Sequence, residues 1–295
     1  MQEETMFERI GIFGKYSGDQ CWENIEILVD FLISKSRTVY LDEQSCKSFP
    51  QHDKAPLVER AQIKKQIDLA VMIGGDGTFL DLAREIANND VPILGINLGR
   101  LGFLTDISPE NMLTTMEEIL NGIYQEEHRN MLHVNVYNKG ESVFESLALN
   151  DVVIHKKASP LMIEFETFVD GRFLNSQRSD GMIISTPTGS TAYALSAGGP
   201  ILDPSLDAIS LVSINPHTMS TRPYVISGSS LIELRPHDNC VKVAQIICDG
   251  QITFDITAEH HTMVRRNEKY LRLLHPRNHD HFELLRAKLR WGDKL

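Results

Sequence analysis

Residues 67–86 read IDLAVMIGGDGTFLDLAREI: a short apolar run, a glycine-rich turn and an amphipathic stretch. The run Ile67–Ile73 predicts a buried strand, and Phe79–Ile86 predicts a helix. In the turn between them, the glycines let a ligand approach the backbone closely. Because the first amides of a helix have no partner within the helix, the turn favours an anion such as a phosphate group.

Asp76 lies in the middle of this turn. A carboxylate beside a phosphate site places negative charge next to negative charge, so phosphate binding alone does not explain it. We interpret Asp76 as the group that contacts a hydroxyl attacking a phosphate. An ordinary glycine-rich connection between a strand and a helix is the alternative.

The chain has 295 residues, more than one hydrophobic core usually holds, so two domains are expected. Its 29 basic and 40 acidic residues give a net charge of −11, which argues against nucleic acid and against a membrane as partners. No apolar stretch approaches the roughly 18 residues of a membrane span. The acidic start of the chain does not have the layout of a signal peptide, so we expect a cytoplasmic protein.

The cysteines and histidines form no recognised metal signature, and the cysteine spacing predicts no disulfide framework. The histidines near the end of the chain, His275, His279 and His281, are interpreted as part of a polar surface. We therefore predict no zinc site.

Residues 8–124 alternate apolar runs with amphipathic stretches, which predicts a parallel, doubly wound α/β sheet. Besides the elements around Asp76, the predicted strands are Ile10–Phe13, Val39–Leu41 and Val91–Ile96, and the predicted helices are Cys21–Ser34, Leu57–Lys65 and Ser108–Gly122. Asn97–Leu104 then has the dinucleotide-fingerprint spacing with asparagine as its first residue, and a structural loop is an equal alternative.

The hydrophobic pattern changes after about residue 126 to a period of two, which predicts antiparallel strands. Asp170-Gly171 and Asp249-Gly250 are turn signals between them. The predicted strands are His133–Tyr137, Ile163–Val169, Leu231–Leu234, Val241–Cys248, Gln251–Thr257 and Tyr270–Leu274. In the tail, Phe282, Leu285 and Leu289 share a helical face that should pack back on a domain already built, and Gly292 follows.

Residues 185–200 place several hydroxyl and small side chains behind the apolar run Met182–Ile184. Such a segment offers hydrogen-bonding groups to a ligand, and Tyr193 could stack on a base or a ribose. A polar turn that begins a helix at Thr191 is the alternative. Arg178, just before this region, could pair with a phosphate or with a neighbouring surface acid.

Together, GGDGT at 74–78, the loop from Gly95 to Leu104 and TPTGSTAY at 186–193 resemble the NAD kinases, here the bacterial, ATP-dependent type. The resemblance covers about residues 10–290. Phosphofructokinases and diacylglycerol or sphingosine kinases share the first motif but not the hydroxyl-rich one. Asn150-Asp151 stands where the family has Asn-Glu.

The resemblance implies transfer of the γ-phosphoryl group of ATP to the 2′-hydroxyl of the adenosine ribose of NAD, giving NADP, with Mg²⁺ accompanying ATP. It also implies a homodimer or a homotetramer. The expected fold is a Rossmann-like α/β domain followed by an antiparallel β-rich domain, with the C-terminal helix returning to the first. We assign residues 1–125 with 276–295 to the Rossmann-like domain and residues 126–275 to the β-rich, NAD-binding domain.

Carried over by position, Asp76 resembles the proton acceptor, and because an aspartate is a weak base at neutral pH, much of its contribution should be positioning. Asn150 would contact adenine and Asp151 a ribose hydroxyl. Arg178 would favour ATP over polyphosphate, since relatives that accept polyphosphate look to carry glycine there. The remaining implied substrate-binding residues are Gly75, Gly77, Asp180, Thr191, Ala192, Tyr193, Ala194, Leu195, Ser196, Asp249 and Gln251.

Two other functions fit part of the sequence. One is a lipid or sugar kinase built on the same glycine-Asp turn. The other is a dinucleotide sensor without enzymatic activity, which would not need Asp76.

Overall fold

The computed structural model describes residues 6–14, 19–46, 55–99, 101–158, 160–237 and 244–291. The chain forms two compact units: the first comprises Met1–His128 and Leu271–Leu295, and the second comprises Arg129–Tyr270. No helix in the described ranges is long and apolar enough to cross a membrane.

The first unit is an α/β unit, and its elements up to residue 129 alternate along the chain. They are β1 (Arg9–Gly14), α1 (Asp19–Ser34), β2 (Thr38–Asp42), α2 (Glu43–Cys46), β3 (Leu57–Val58), α3 (Arg60–Ile63), β4 (Leu69–Ile73), α4 (Asp76–Ile86), β5 (Ile93–Ile96), α5 (Met112–Leu120) and β6 (Gln125–Arg129). The last part of the chain adds β19 (Leu271–His275) and α7 (His281–Leu289).

These strands form one sheet in the order β3-β2-β1-β4-β5-β19-β6. The pairings of β1 with β2 and β4, and of β5 with β4 and β19, are parallel. Every residue of β4 is buried, as expected for a central parallel strand covered on both faces. The glycine-rich turn therefore begins at the carboxyl end of a central strand, which is where open α/β sheets bind ligands.

Two predictions for this unit are corrected. Leu57–Lys65 is not one helix, because Leu57 and Val58 extend beside Leu41 and Asp42, which leaves only the single helical turn α3. The strand predicted at Tyr270–Leu274 is β19, which pairs with β5 in the first sheet and not in the antiparallel part of the chain. Its alternating pattern shows that it is a strand but does not identify the neighbouring strand.

The C-terminal helix belongs to the first unit, as expected. Its buried residues are Leu284 and Leu285, whereas Phe282 is 62% exposed, so the predicted face is only partly correct. The Asp280 carboxylate accepts hydrogen bonds from the backbone N–H groups of Phe282 and Glu283 and thereby caps the helix. Gly292 and Val241–Val243 lie outside the described residues.

The second unit is built almost entirely from antiparallel strands. They are β7 (Leu132–Asn138), β8 (Glu141–Ala148), β9 (Asp151–Lys156), β10 (Ile163–Val169), β11 (Arg172–Ser179), β12 (Gly181–Ser185), β13 (Ala208–Ile214), β14 (Tyr224–Ser227), β15 (Ile232–Pro236), β16 (Ala244–Cys248), β17 (Ile252–Ile256) and β18 (His260–Arg266), with the short helix α6 (Tyr193–Ser196). One sheet has the order β11-β10-β15-β18-β7-β8 and the other β14-β13-β12-β9-β16-β17.

A core of alternating apolar side chains joins the two sheets, for example Val134 and Phe165 from one and Ile154 and Ile184 from the other. Both turn signals are confirmed: Asp170 and Gly171 have φ of 50° and 74°, and Asp249 and Gly250 have φ of 50° and 68°. Positive φ at both central residues is the geometry of a tight hairpin turn. The predicted α/β and antiparallel β-rich fold is confirmed.

Candidate active site

The glycine-rich turn of the first unit leaves room for a ligand. Gly74 has φ +154°, a conformation that side-chain-bearing residues rarely adopt. Gly75 is the N-cap of α4, and a Cβ added there would meet no atom within 4 Å. Gly75 and Gly77 are exposed, and Asp76 is half-buried as the first residue of the helix.

The Asp76 carboxylate is held by a loop that comes from the end of the next strand. Oδ2 accepts a hydrogen bond from Phe103 N at 2.9 Å. Oδ1 accepts from Leu104 N and from Thr105 Oγ1, both at 3.1 Å. Because a carboxylate offers about four acceptor positions, these three donors leave about one free, on Oδ2.

Gly102 permits this contact. A Cβ at Gly102 would lie 2.0 Å from Asp76 Oδ1 and 2.3 Å from Thr105 Oγ1, so no other residue fits without displacing the carboxylate. This is the physical meaning of the second glycine in the sequence from Asn97 to Leu104. Arg100 of that loop lies outside the described residues.

Asn97 tightens the loop through its side chain, and its backbone is not left-handed. Its Oδ1 accepts from Gly99 N at 2.6 Å, and its Nδ2 donates to Thr105 Oγ1 at 3.3 Å. From α7, Lys288 donates to the carbonyl of Leu101 and lies 5.6 Å from the centre of the Phe103 ring. The C-terminal helix thus supports the loop that holds Asp76.

The second unit has its own cluster of predicted residues at one edge of a sheet. Asp151 begins β9 and lies opposite Ser185, the last residue of β12. Val152 lies opposite Cys248, the last residue of β16. Three neighbouring strands therefore bring together Asn150-Asp151, the hydroxyl-rich segment after Ser185 and the turn at Asp249.

Asp249 organises this edge. Its carboxylate accepts from the backbone N–H groups of Leu149, Asn150 and Asp151, at 3.0, 2.8 and 3.2 Å. Three backbone donors stabilise a buried negative charge. Asp249 thus fixes the backbone of the Asn150-Asp151 pair, a role that its spacing in the sequence does not indicate.

Asp151 is a buried carboxyl group, 4% exposed. Burial and the charge of the neighbouring Asp249 raise its pKa from 3.8 to about 7. Near neutral pH the group is therefore divided between protonated and ionised forms, so it can donate a hydrogen bond as well as accept one. This differs from the ionised acceptor that a ribose contact would ordinarily suggest.

Most hydroxyls of the 185–191 segment hydrogen-bond within the protein. Thr186 Oγ1 donates to the carbonyl of Leu149 at 2.6 Å, and Ser190 Oγ donates to that of Pro187 at 2.6 Å. A Cβ at Gly189 would lie 2.1 Å from the carbonyl oxygen of Asn150. The segment thus packs closely on Asn150, and its hydroxyl content serves local structure.

The residues after this segment differ in accessibility. Tyr193 is 41% exposed, and burial with the charges of Asp151 and Asp180 raises its pKa. Ser196 is exposed and Thr191, Ala192 and Leu195 are half-buried. Ala194 is fully buried in a small core with Val153, Ile183, Val212 and Ile214, so its side chain is not available to a ligand.

The other predicted residues have the following surroundings. Asp180 accepts from Asn215 Nδ2 at 3.0 Å and pairs with Lys156 Nζ at 2.7 Å, contacts that lower its pKa. Arg178 is exposed near the end of the edge strand β11, and its carbonyl accepts from His217 N. Gln251 is exposed after the turn at Asp249.

Sequence reasoning missed the groups that hold these residues. Thr105 and the amides of Phe103 and Leu104 follow a strand that was identified, but backbone donors leave no signal in residue types. Lys156 and Asn215 are far from Asp180 in sequence, and only the pairing of β12 with β9 and β13 brings them near it.

Comparison with known proteins supplies the family. Residues 10–124 match the ATP-NAD kinase N-terminal domain, and residues 149–275 match the ATP-NAD kinase C-terminal domain. This chain belongs to the ATP-NAD kinase family. The membership inferred from the motifs is confirmed.

Full-length relatives agree with that membership. An NAD kinase of Hydrogenovibrio crunogenus is 60% identical, with 98% of this chain and 100% of that protein covered. One from Nitrosococcus oceani is 44% identical, with 98% of each chain covered.

Two solved structures have the same fold as this chain. A yeast NADH kinase complexed with NADH matches with a TM-score of 0.89 at 24% identity, covering 100% of this chain and 94% of that one. At this identity the match supports the fold alone. An NAD kinase from Archaeoglobus fulgidus in complex with ATP matches with a TM-score of 0.75 at 27% identity, covering 96% of this chain and 98% of that one.

The raised pKa of Asp151 predicts a pH-dependent stability. The folded pKa of about 7 exceeds the ordinary 3.8, so ionisation destabilises the fold progressively as the pH rises from about 4 to 7. Asp151→Asn removes this cost and should stabilise the protein at pH 8 by on the order of 2–3 kcal/mol more than at pH 5.

The measurement is the melting temperature of variant and wild type at both pH values. Asp255→Asn, which changes a side chain 67% exposed, is the matched control. A melting difference that is the same at pH 5 and pH 8 would show that Asp151 is not held in its protonated form.

Proposed function

We propose that this chain transfers the γ-phosphoryl group of ATP to the 2′-hydroxyl of the adenosine ribose of NAD, forming NADP. The observation that best supports this proposal is the position of the Asp76 carboxylate. It is fixed at the start of α4, beside Gly75, where a Cβ would meet no atom within 4 Å. Three donors orient this carboxylate and leave about one acceptor position. A hydroxyl that donates to that position would be both oriented and activated as a nucleophile.

The 2′-hydroxyl would donate to Oδ2 of Asp76, since Oδ1 already accepts two hydrogen bonds. Positioning of the nucleophile is the main protein contribution to phosphoryl transfer, together with neutralisation of charge. A carboxylate with one free acceptor position suits the first task. The exposed glycines and the N-terminal amides of α4 suit the phosphate groups.

The strand ends around Asp151 in the second unit support the proposal that this chain recognises NAD. Asn150 would contact the adenine and Asp151 a ribose hydroxyl, with Tyr193 exposed nearby for stacking. Asp180, Thr191, Ala192, Leu195, Ser196 and Gln251 would contribute further contacts. We assign Asp249 as a positioning residue, because its carboxylate already accepts from three amides of this edge.

Mg²⁺ would neutralise the phosphates of ATP. In the described part of the chain, the side chains of Asp106, His275 and His279 lie close enough together to hold an ion. Imidazole nitrogens suit Mg²⁺ poorly. We expect Mg²⁺ to enter with ATP and to be held largely by the nucleotide, as is usual for Mg²⁺ in kinase sites. The cytoplasmic location and the homo-oligomeric state stay predictions.

Incubating the purified chain with ATP, Mg²⁺ and NAD and measuring NADP tests the proposed function. The position of the new phosphate is read by ³¹P NMR of the product. Transfer to the 2′ position is expected. Absence of NADP over a range of metal and pH conditions would contradict the proposal and favour a dinucleotide sensor, and a phosphorylated lipid or sugar would favour the kinase alternative.

Asp76→Asn should lower kcat by about 10²–10⁴-fold, because an amide cannot take the proton of the hydroxyl. The substitution also replaces one carboxylate oxygen, a hydrogen-bond acceptor, by an NH₂ group, a donor. The side chain then loses its hydrogen bonds either to Phe103 N or to Leu104 N and Thr105 Oγ1. We expect a lower melting temperature, with a cost of about 1–3 kcal/mol for the unpaired donor. Steady-state kinetics and thermal melting measure the two effects.

Asp81→Asn is the matched control, since Asp81 lies on the same helix and pairs with Arg60 and Arg84. Its kcat should equal that of the wild type. An Asp76→Asn enzyme that turns over at the wild-type rate would give Asp76 a purely structural role.

Arg178→Gly tests the choice of phosphoryl donor. The exposed guanidinium can pair with one arrangement of phosphates and crowd another. We expect the wild type to use ATP far faster than polyphosphate. In Arg178→Gly, the ratio of the rate with ATP to the rate with polyphosphate should be smaller. Arg172→Gly, at the other end of β11, is the control, and equal wild-type rates with the two donors would refute the role of Arg178.

A further inference from the structure

A second polar cluster lies in the first unit, apart from Asp76, and its members come from distant parts of the sequence. His275 ends β19, His279 lies in the turn before α7, Glu127 is on β6, and Asp106 follows the loop after β5. The side chains of His275, His279 and Asp106 are 0%, 5% and 9% exposed, and that of Glu127 is 30% exposed.

Asp106 fixes both imidazole rings. Its Oδ2 lies 2.9 Å from His275 Nδ1 and 2.7 Å from His279 Nδ1. A carboxylate oxygen accepts hydrogen bonds, so both Nδ1 atoms carry their protons in this network. The other nitrogen of each neutral ring, Nε2, is then a lone-pair acceptor.

The two Nε2 atoms face a second carboxylate. Glu127 Oε2 lies 3.5 Å from His275 Nε2, and Glu127 Oε1 lies 3.9 Å from His279 Nε2. Both Nε2 atoms are buried without a hydrogen-bond partner. With both rings neutral, two lone pairs and a carboxylate directed at one space repel one another, and either a second ring proton or a metal ion between them relieves this. Although burial lowers it, the hydrogen bonds and charges of Asp106 and Glu127 raise the pKa of His275, so a proton on Nε2 and a metal ion compete for this space.

We propose that His275, His279 and Glu127 form a binding site for a divalent transition-metal ion of the Zn²⁺ class, with Asp106 orienting the two rings. Two imidazoles and one carboxylate are a known Zn²⁺ ligand set that leaves room for a water molecule. A carboxylate on the second nitrogen of each ligating histidine fixes its tautomer and raises its basicity. Imidazole selects Zn²⁺ over Mg²⁺, so this site is distinct from the metal that accompanies ATP.

The two separations between Glu127 and the ring nitrogens are close to those between ligand atoms around a bound ion. Tetrahedral bonds of about 2.0–2.1 Å separate ligand atoms by about 3.4 Å. The 3.5 and 3.9 Å gaps are slightly wider, so the ligands close by a few tenths of an ångström. The rings are stacked with their centroids 3.8 Å apart and an interplanar angle of 22°. Metal binding therefore requires the rings to tilt so that both Nε2 lone pairs point at one ion.

Neighbouring contacts hold the ligands in place before an ion binds. Gln125 Nε2 donates to the carbonyls of Arg277 and His279, at 2.7 and 3.3 Å. Gln125 and Glu127 are two residues apart on β6, so both side chains are on the same face. The turn that carries His279 is thus attached to the strand that carries Glu127.

This proposal departs from the sequence prediction of no zinc site, which stays a prediction. The interpretation of His275 and His279 as part of a polar surface is corrected, since their side chains are 0% and 5% exposed. The trio His275, His279 and His281 has no signature spacing, and both carboxylates lie about 150 or more residues before the histidines, at 106 and 127. Only the insertion of β19 between β5 and β6 brings the four side chains together.

The test is equilibrium metal binding by the full-length chain, stripped with a chelator and alkylated at its cysteines so that thiols do not compete. Zn²⁺ is titrated against a chromophoric chelator, and Co²⁺ is titrated while its visible absorption is recorded. One Zn²⁺ per chain and a tetrahedral Co²⁺ spectrum are expected, with a rise in melting temperature on adding Zn²⁺.

Variants assign the ligands. Asp106→Asn should weaken binding about 10–100-fold, and His279→Gln and Glu127→Gln should weaken it further. If His279→Gln does not fold, Glu127→Gln alone tests the ligand assignment. Glu127 is partly exposed, so its substitution should not prevent folding. His128→Gln, which changes a neighbouring side chain 60% exposed, is the control and should bind as the wild type does.

A wild-type chain that binds no stoichiometric Zn²⁺ would overturn the proposal. Binding at wild-type affinity in both Glu127→Gln and a folded His279→Gln would overturn it as well. Neither outcome bears on NADP formation, because the measurement does not use catalysis.

Discussion

The Asp76 carboxylate, bound by Phe103 N, Leu104 N and Thr105 Oγ1, is the interaction on which the first unit's site depends. It joins the turn after β4 to the loop after β5, and it requires glycine at 102 because a Cβ would collide with it. The parallel pairing of β4 with β5 brings the two segments to the same edge. The fold thereby orients the carboxylate that we propose as catalytic, which leaves little further entropic cost when substrate binds.

The second unit uses a carboxylate in a similar way. Asp249, in a left-handed turn, accepts from three consecutive amides and sets the position of Asn150 and Asp151. Its charge has a further effect, since it raises the pKa of the buried Asp151 to about 7. Backbone amides and buried charge therefore determine the chemistry of a residue whose type alone suggests an ordinary acid.

The elements that local patterns specify were predicted from the sequence: the strand and helix around Asp76, the turns at Asp170 and Asp249, and the change of hydrophobic period. Contacts between distant residues were not. Leu57 and Val58 pair with β2, and β19 joins the first sheet, because partners are chosen in three dimensions. The hydroxyls of Thr186 and Ser190 looked available to a ligand, yet they bind neighbouring carbonyls.

Hydrogen exchange at the amides of Phe103 and Leu104 tests most directly whether Asp76 holds this loop. In the wild type both amides should exchange slowly, and Asp76→Ala should speed their exchange by about 10–100-fold, which corresponds to about 1–3 kcal/mol for the lost acceptor. Asp81→Ala, on the same helix, should leave both rates unchanged. Equal exchange in Asp76→Ala and the wild type would contradict the account, because the loop would then be ordered without the carboxylate.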